Sequence, residues 1–274
     1  MATTRTSTID TSSDNICQGP NGEMMCARGV TILGPYGQQY YRGLQRYMVV
    51  EDDFTGGALA LTSTANAAGW RSRKGSDGQA VDWTMTDGPG GTIVGTIGDT
   101  TASMAVSGVQ LDRSLIWKAN QGDLVFEAKV KMSQITLISV FIGLTDQVAA
   151  LEMPIHSAGS ANTITTNATD AVGFMFDTSM TADTWWLTGV VNDVDATAQN
   201  TGTAPVADTY AIFRIELTTA GVATFYYNGT AVGTTMTALT ATVALTPVIA
   251  GFNRDTSNTP TLTADWVYVS ALRP

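Results

Sequence analysis

Asn228-Gly229 stands between two runs of strand-forming residues, 222–227 and 230–232. Both residues tolerate the positive φ angles that a two-residue loop demands, so the segment predicts an antiparallel β-hairpin. The same habit recurs along the chain. In residues 123–132, Leu124, Phe126, Ala128, Val130 and Met132 alternate with Val125, Glu127, Lys129 and Lys131. That period of two gives a strand with one apolar and one largely charged face. Residues 135–144 are apolar on both faces and read as a central strand covered on both sides. Residues 171–177, 184–192, 210–217, 243–252 and 262–270 continue the series. In the last of these, Leu262, Ala264, Trp266 and Tyr268 read as one face and Thr263, Asp265, Val267 and Val269 as the other. Residues 157–171 and 194–208 read as long loops, and no helix of three turns is expected anywhere. The pattern predicts an all-β fold, a two-sheet antiparallel sandwich preceded by an extended N-terminal arm.

Composition narrows the functions. The chain has 274 residues, 44% of them hydrophobic and 14% charged, enough apolar material for a large core and too much for disorder. Fourteen basic against 24 acidic side chains give a net charge of −10. Such a body repels phosphate backbones and anionic lipid surfaces, so neither nucleic acid nor membrane is an expected partner. No apolar run approaches the ~20 residues of a membrane span, and the opening MATTRTSTIDTSSDN has no leader-like apolar stretch. Cys17 and Cys26 either close a small loop or stay as free thiols. With His156 the only histidine, a four-ligand zinc site is out of reach, and no cofactor or metal is expected.

Charge and periodicity both change near residue 50. Residues 1–50 carry four arginines against three acids, so the net negative charge lies wholly beyond them. Residues 1–47 show neither helical nor alternating apolar periodicity and are punctuated by GPNG and GPYG, which reads as an extended arm. Residues 48–274 form the sandwich domain. Arg28, Arg42 and Arg46 interleave with Tyr36, Tyr40, Tyr41 and Tyr47, residue types that dominate interface energetics. The arm is therefore a candidate partner-binding segment, docking on its own sandwich or on a neighbouring subunit.

The segments YAIFRIEL (210–217), GVATFYYNG (221–229) and TADWVYVS (263–270) resemble the closing strands of the concanavalin A-like lectin/glucanase superfamily, which includes laminin-G modules and family 16 glycosidases. The resemblance implies a jelly roll whose last strand pairs beside its first, here near residues 47–54. It also implies that glycosidases of this kind carry Glu-x-Asp-x-x-Glu on one strand. The five glutamates here, Glu23, Glu51, Glu127, Glu152 and Glu216, are scattered, so no catalytic residue is assigned. His156 reads as a solvated loop histidine. Asp52-Asp53 and the run Asn192-Asp193-Val194-Asp195 are the oxygen donors nearest to a calcium pattern, and turn formation is their plainer role. Trp70 and Trp83 flank a loop with Arg71, Arg73, Lys74 and Asp77, where Trp83 reads as core. Trp70, Trp185 and Trp186 are candidate glycan-stacking rings, although Trp185 and Trp186 must point to opposite sides of one strand.

In its style, an acidic, lysine-poor, Thr/Ala/Gly-rich chain with an irregular arm before a jelly roll, the sequence also resembles head decoration proteins of tailed bacteriophages. That resemblance implies a non-enzymatic virion protein on the capsid surface, made in the host cytoplasm. It would bind the major capsid protein or other virion subunits through its arm, as a homo-oligomer with a trimer favoured. The alternative is a carbohydrate-binding, lectin-like module of a phage tail fibre or cell-surface adhesion protein, with a glycan as partner.

Overall fold

The structure, a computed structural model, describes residues 47–54, 70, 83–86, 91–98, 106–111, 115–148, 152–159, 162–256 and 259–273. For residues 16–18, 24–26, 31–33, 39–41, 60–61 and 71–74 it describes strand positions alone. The chain divides into two compact units, Met1–Val49 with Leu272–Pro274, and Val50–Ala271.

In the first unit, β1 (Ile16–Gln18) pairs antiparallel with β2 (Met24–Cys26), and β3 (Thr31–Leu33) with β4 (Gln39–Tyr41). Of the arm residues singled out from sequence, Tyr40 and Tyr41 are placed only by strand position, opposite Ile32 and Thr31. Arg28, Tyr36, Arg42 and Arg46 lie outside the described residues. Tyr47 is half-buried, and its carbonyl accepts a hydrogen bond from Arg273 Nε at 3.2 Å.

The strands that follow are β5 (Tyr47–Asp52), β6 (Ala60–Leu61), β7 (Trp70–Lys74), β8 (Trp83–Thr86), β9 (Thr92–Thr96) and β10 (Ser107–Leu111). After a 3₁₀ turn at Ala119–Gln121 come β11 (Leu124–Met132), β12 (Ile138–Thr145), β13 (Ile155–Ser157), β14 (Ile164–Thr166), β15 (Ala171–Asp177) and β16 (Trp185–Val191). The chain closes with β17 (Val194–Asp195), β18 (Gln199–Asn200), β19 (Ala211–Leu217), β20 (Val222–Tyr227), β21 (Thr230–Thr237), β22 (Thr246–Asn253) and β23 (Thr261–Leu272).

Two antiparallel sheets form the jelly-roll sandwich. One has the order β17-β16-β15-β12-β22-β10-β7, with β18 also on β16. The other has the order β21-β20-β19-β11-β23-β9-β8-β6, with β5 also on β23. The Asn228-Gly229 turn joins β20 to β21 with φ of 50° and 78°. Asn192 and Asp193, at φ of 49° and 62°, make the same kind of two-residue turn between β16 and β17.

The sheets meet through an aromatic cluster. Phe174 on β15 packs edge-on against Phe213 at 5.1 Å and Phe225 at 5.4 Å, and Trp185 on β16 lies 4.6 Å from Phe213. These rings are buried, and edge-to-face pairing adds to the area that they remove from water.

The outer face of the eight-stranded sheet is covered as well. Phe141, Met175, Trp186, Val248, Ala250 and Phe252 form a second apolar cluster with Met153, Ile155 and Ala168, which lie on or beside the β13–β14 hairpin. Residues 157–171, read from sequence as loop, thus contain a pairing strand, because the residues that seal this cluster must themselves satisfy their backbone groups. His156, expected in a solvated loop, is half-buried on β13.

Candidate functional site

The nine-stranded sheet keeps one face open. Along β11 the burial alternates strictly, so Leu124, Phe126, Ala128 and Val130 enter the core while Val125, Glu127, Lys129 and Lys131 face outward. Cross-strand pairing then sets rows across the sheet: Glu127 lies between Tyr268 on β23 and Arg214 on β19, and Arg214 is opposite Tyr226 on β20. Side chains in one row are near enough to bond. Arg214 donates to Glu127 Oε2 at 3.1 Å and to Glu216 Oε1 at 2.6 Å through Nη2 and 2.8 Å through Nε. Burial alone would lower the Arg214 pKa, but the two carboxylates outweigh it and hold the guanidinium above its ordinary value. Tyr226 donates to Glu216 Oε2 at 3.3 Å.

A β-bulge decides what β23 adds. The register shifts between Lys129 and Val130, so Lys129 faces Trp266 while Val130 faces Ala264, and Asp265 has no partner in the ladder. An extra residue reverses which side chains face out beyond it. Leu262 and Ala264 are inside before the bulge, Val267 and Val269 are inside after it, and Trp266 and Tyr268 emerge half-buried on the outer face. The sequence reading had placed Trp266 and Tyr268 with Leu262, and the bulge is the reason it does not hold. Asp265, also turned outward, accepts a 2.5 Å bond from Lys129 Nζ. Lys129 and Lys131 lie 5.0 and 5.1 Å from the Tyr210 ring centroid, and burial, with Asp265 adding to it, raises the Tyr210 pKa.

Together these strands and β5 line a groove of about 450 Å³, walled by Glu51, Asp53, Val125, Glu127, Arg214, Trp266 and Tyr268. Its volume is that of a small-ligand site. Two aromatic rings two residues apart on one strand face a wall of carboxylates. Glu127 and Glu216 are both engaged by Arg214, so neither is presented as an unpaired acid of the kind that glycoside hydrolysis uses.

The tryptophans chosen from sequence are elsewhere. Trp70 is 1% exposed and packs edge-on to Phe54 at 5.9 Å, Trp185 is 2% exposed in the inner core, and Trp186 is 4% exposed under the hairpin, its Nε1 donating to Ala182 O at 3.2 Å. None offers a free ring face. Trp83 is core, as its flanking pattern suggested, with Nε1 donating to Ser107 Oγ at 3.1 Å. The acids considered for calcium have local tasks: Asp52 Oδ1 accepts from Phe54 N at 2.8 Å and Asp195 Oδ1 from Thr166 Oγ1 at 2.9 Å. Among the described residues no group of three or more His, Cys, Asp or Glu is placed to hold a metal ion.

No family model matches this sequence, and neither does any curated protein. The fold is similar to that of peanut lectin crystallised with a nine-residue peptide, at 12% identity over 83% of this chain and 99% of that one, with a TM-score of 0.52. It is also similar to a native glycosidic hydrolase, at 11% identity over 81% of this chain and 95% of that one, with a TM-score of 0.51. Identities this low establish the fold alone, a two-sheet jelly roll like that of these two proteins, and such a fold serves enzymes and non-enzymes alike.

Proposed function

We propose that the protein is a non-hydrolytic carbohydrate-binding module and that the outer groove of the nine-stranded sheet is its binding site. The observation that carries this reading is the bulge-directed pair Trp266 and Tyr268, set beside Glu127 and Arg214 in one groove. Flat rings take the apolar face of a sugar, and neighbouring charged groups take its hydroxyls. The likeness in fold to a lectin and to a glycosidic hydrolase supports it. The engagement of Glu127 and Glu216 by Arg214 favours binding over turnover.

Calorimetric titration of the full chain against a panel of neutral, acidic and amine-bearing oligosaccharides tests the proposal. A ligand is expected to bind with no reducing ends released, and Trp266→Ala is expected to weaken it about tenfold or more, or ~1.4 kcal/mol, with an unchanged circular dichroism spectrum. Absence of binding across the panel, or binding indifferent to Trp266→Ala, overturns it. The reading as a capsid decoration protein rests on residues 1–47, and no feature of the described sandwich favours it over the carbohydrate reading.

A further inference from the structure

We infer that Glu216, which does not line the groove, sets the plane of the Arg214 guanidinium and so makes the site selective for sugars that offer two adjacent free hydroxyls. The inference rests on the carbohydrate-binding reading of the same groove. It follows from how the bonds of one side chain are shared out. Arg214 gives Glu216 Oε1 two bonds, at 2.8 Å from Nε and 2.6 Å from Nη2, and gives Glu127 Oε2 one, at 3.1 Å from Nη1. The guanidinium is thus gripped along its own strand by Glu216 and across the sheet by Glu127. Glu216 is held in turn by Tyr226, whose hydroxyl donates to Oε2 at 3.3 Å. The charge of Glu216 raises the pKa of that phenol above its ordinary 10.0, which keeps the donor on it.

An arginine has five N–H donors. Three are engaged by the two carboxylates, which leaves one on each terminal nitrogen. A planar fork presents such a pair to two neighbouring oxygens, and a flexible ammonium does not. Arg214 lines the groove with Trp266 and Tyr268, and its side chain is 37% exposed. A pyranose that lays its apolar face on those rings carries its hydroxyls around its rim. Two adjacent hydroxyl oxygens on that rim can accept from the fork, and one of them can donate to Glu127, because a hydroxyl does both. Without Glu216 the guanidinium keeps its charge and loses its aim. Glu216 is therefore a positioning residue, acting on the ligand through Arg214.

The test uses the full chain and two probes in calorimetric titration. In cellohexaose the internal rings keep two adjacent hydroxyls free; in laminarihexaose the linkage takes the hydroxyl between the other two, so the internal rings keep no adjacent pair. Cellohexaose is expected to bind about fivefold tighter. Glu216→Ala is expected to erase that preference with an unchanged circular dichroism spectrum, and Glu216→Gln, which keeps an acceptor oxygen for the fork, to retain it. Arg214→Lys, which keeps the charge without the fork, is expected to erase it as well, and decides the matter if Glu216→Ala fails to fold. Trp266→Ala is expected to weaken both probes together. Equal binding of the two probes by the wild type overturns the selectivity and leaves the carbohydrate reading intact. A preference that survives Glu216→Ala, or Arg214→Lys, overturns the positioning role. Binding of neither probe overturns the inference, and the carbohydrate reading falls with it only if no other saccharide binds.

Discussion

The two sheets share one core and differ in what lies on their far sides. In the eight-stranded sheet every residue of β12, β15 and β22 is buried, as are all residues of β16 except the last. In the nine-stranded sheet β11 and β19 alternate between core and surface. The consequence is electrostatic. Under the β13–β14 hairpin, a charge persists only with every bond supplied: Asp177, 0% exposed, accepts from Ser157 N and Ser179 N at 2.9 Å and from Arg254 Nε at 3.0 Å and Nη2 at 2.5 Å. Arg254, 12% exposed, also donates to Ser157 O at 3.0 Å and lies 4.9 Å from the Phe252 ring centroid. On the open face, Arg214, Glu127 and Glu216 are 37, 23 and 39% exposed. Charge there costs little and remains available to a ligand. One sheet has used its outer face for stability, and the other has left it half-exposed, where the proposed binding site lies.

The largest effects should fall on the covered sheet. Arg254→Met leaves Asp177 charged and buried, and should cost about 3–5 kcal/mol in urea unfolding. Asp177→Asn combined with Arg254→Met should recover much of that loss, since no charge is then stranded. The tryptophans give the same contrast without charge. Trp186→Ala opens a cavity beneath the hairpin and should cost about 3–5 kcal/mol, whereas Trp266→Ala should cost about 1 kcal/mol while weakening ligand binding about tenfold or more. Equal costs would break the distinction between the faces. Close approach of backbones makes a further case. A Cβ at Gly143 would lie 2.1 Å from the carbonyl oxygen of Val172 on the neighbouring strand, so Gly143→Ala should destabilise by about 3 kcal/mol.

How much of this was legible in the sequence divides along the same line. The alternation of β11 and the two-sided apolarity read over residues 135–144 are properties of single strands, and the structure has the first over Leu124–Met132 and the second over Ile138–Thr145, with residues 135–137 outside the strand. The Asn228-Gly229 turn is equally local. The hairpin cover was not legible, because strands of three residues are too short to show a period. Its clasp joins Arg254 to Asp177 across 77 positions of sequence. The groove was hidden by one extra residue in β23. A strict period of two puts Trp266 with Leu262, and only the alternative placement of Val267 and Val269 in the core hints at the change of phase. The aromatic residues named from sequence as glycan-stacking candidates were the buried ones for the same reason: adjacency of Trp185 and Trp186 says that they diverge, and cannot show that both sides of that strand are covered.

The clasp should also respond to pH. Burial pushes the His156 pKa below its ordinary 6.5; the ring's bond to Ser157 O opposes this, Arg254 lowers it further and Asp177 raises it. The folded state thus prefers the neutral ring. As the pH falls through 6.5 the unfolded chain takes up a proton that the folded chain refuses, so stability should decline from there down to the lowered folded value and level off below it. Asp52 and Asp146, both raised by burial from 3.8, act in the opposite sense, favouring the folded state as the pH falls toward 3.8. The readout is therefore the difference between wild type and His156→Gln across this range, with the decline expected in the wild type and absent from the variant. The open face carries no such histidine among the described residues.

The smallest effect sharpens the comparison most. Arg214 pairs with two carboxylates, Glu127 and Glu216, and Arg254 with one, Asp177, so a count of ion pairs would rate Arg214 the more important. The difference is solvent. Glu127 and Glu216 can rehydrate when their partner is removed, because water already reaches both, and exposed pairs contribute only about 0.2–1 kcal/mol. Arg214→Ala should therefore lower stability by no more than about 1 kcal/mol, and by less at high salt, in the same urea titration that shows Arg254→Met to be severe. Its effect should appear in binding instead: Arg214 lines the groove beside Trp266 and Tyr268, and its removal should weaken saccharide binding more than it weakens the fold. A variant that unfolds would show that the open face is held together by its charges, and one that binds as the wild type does would remove Arg214 from the proposed site.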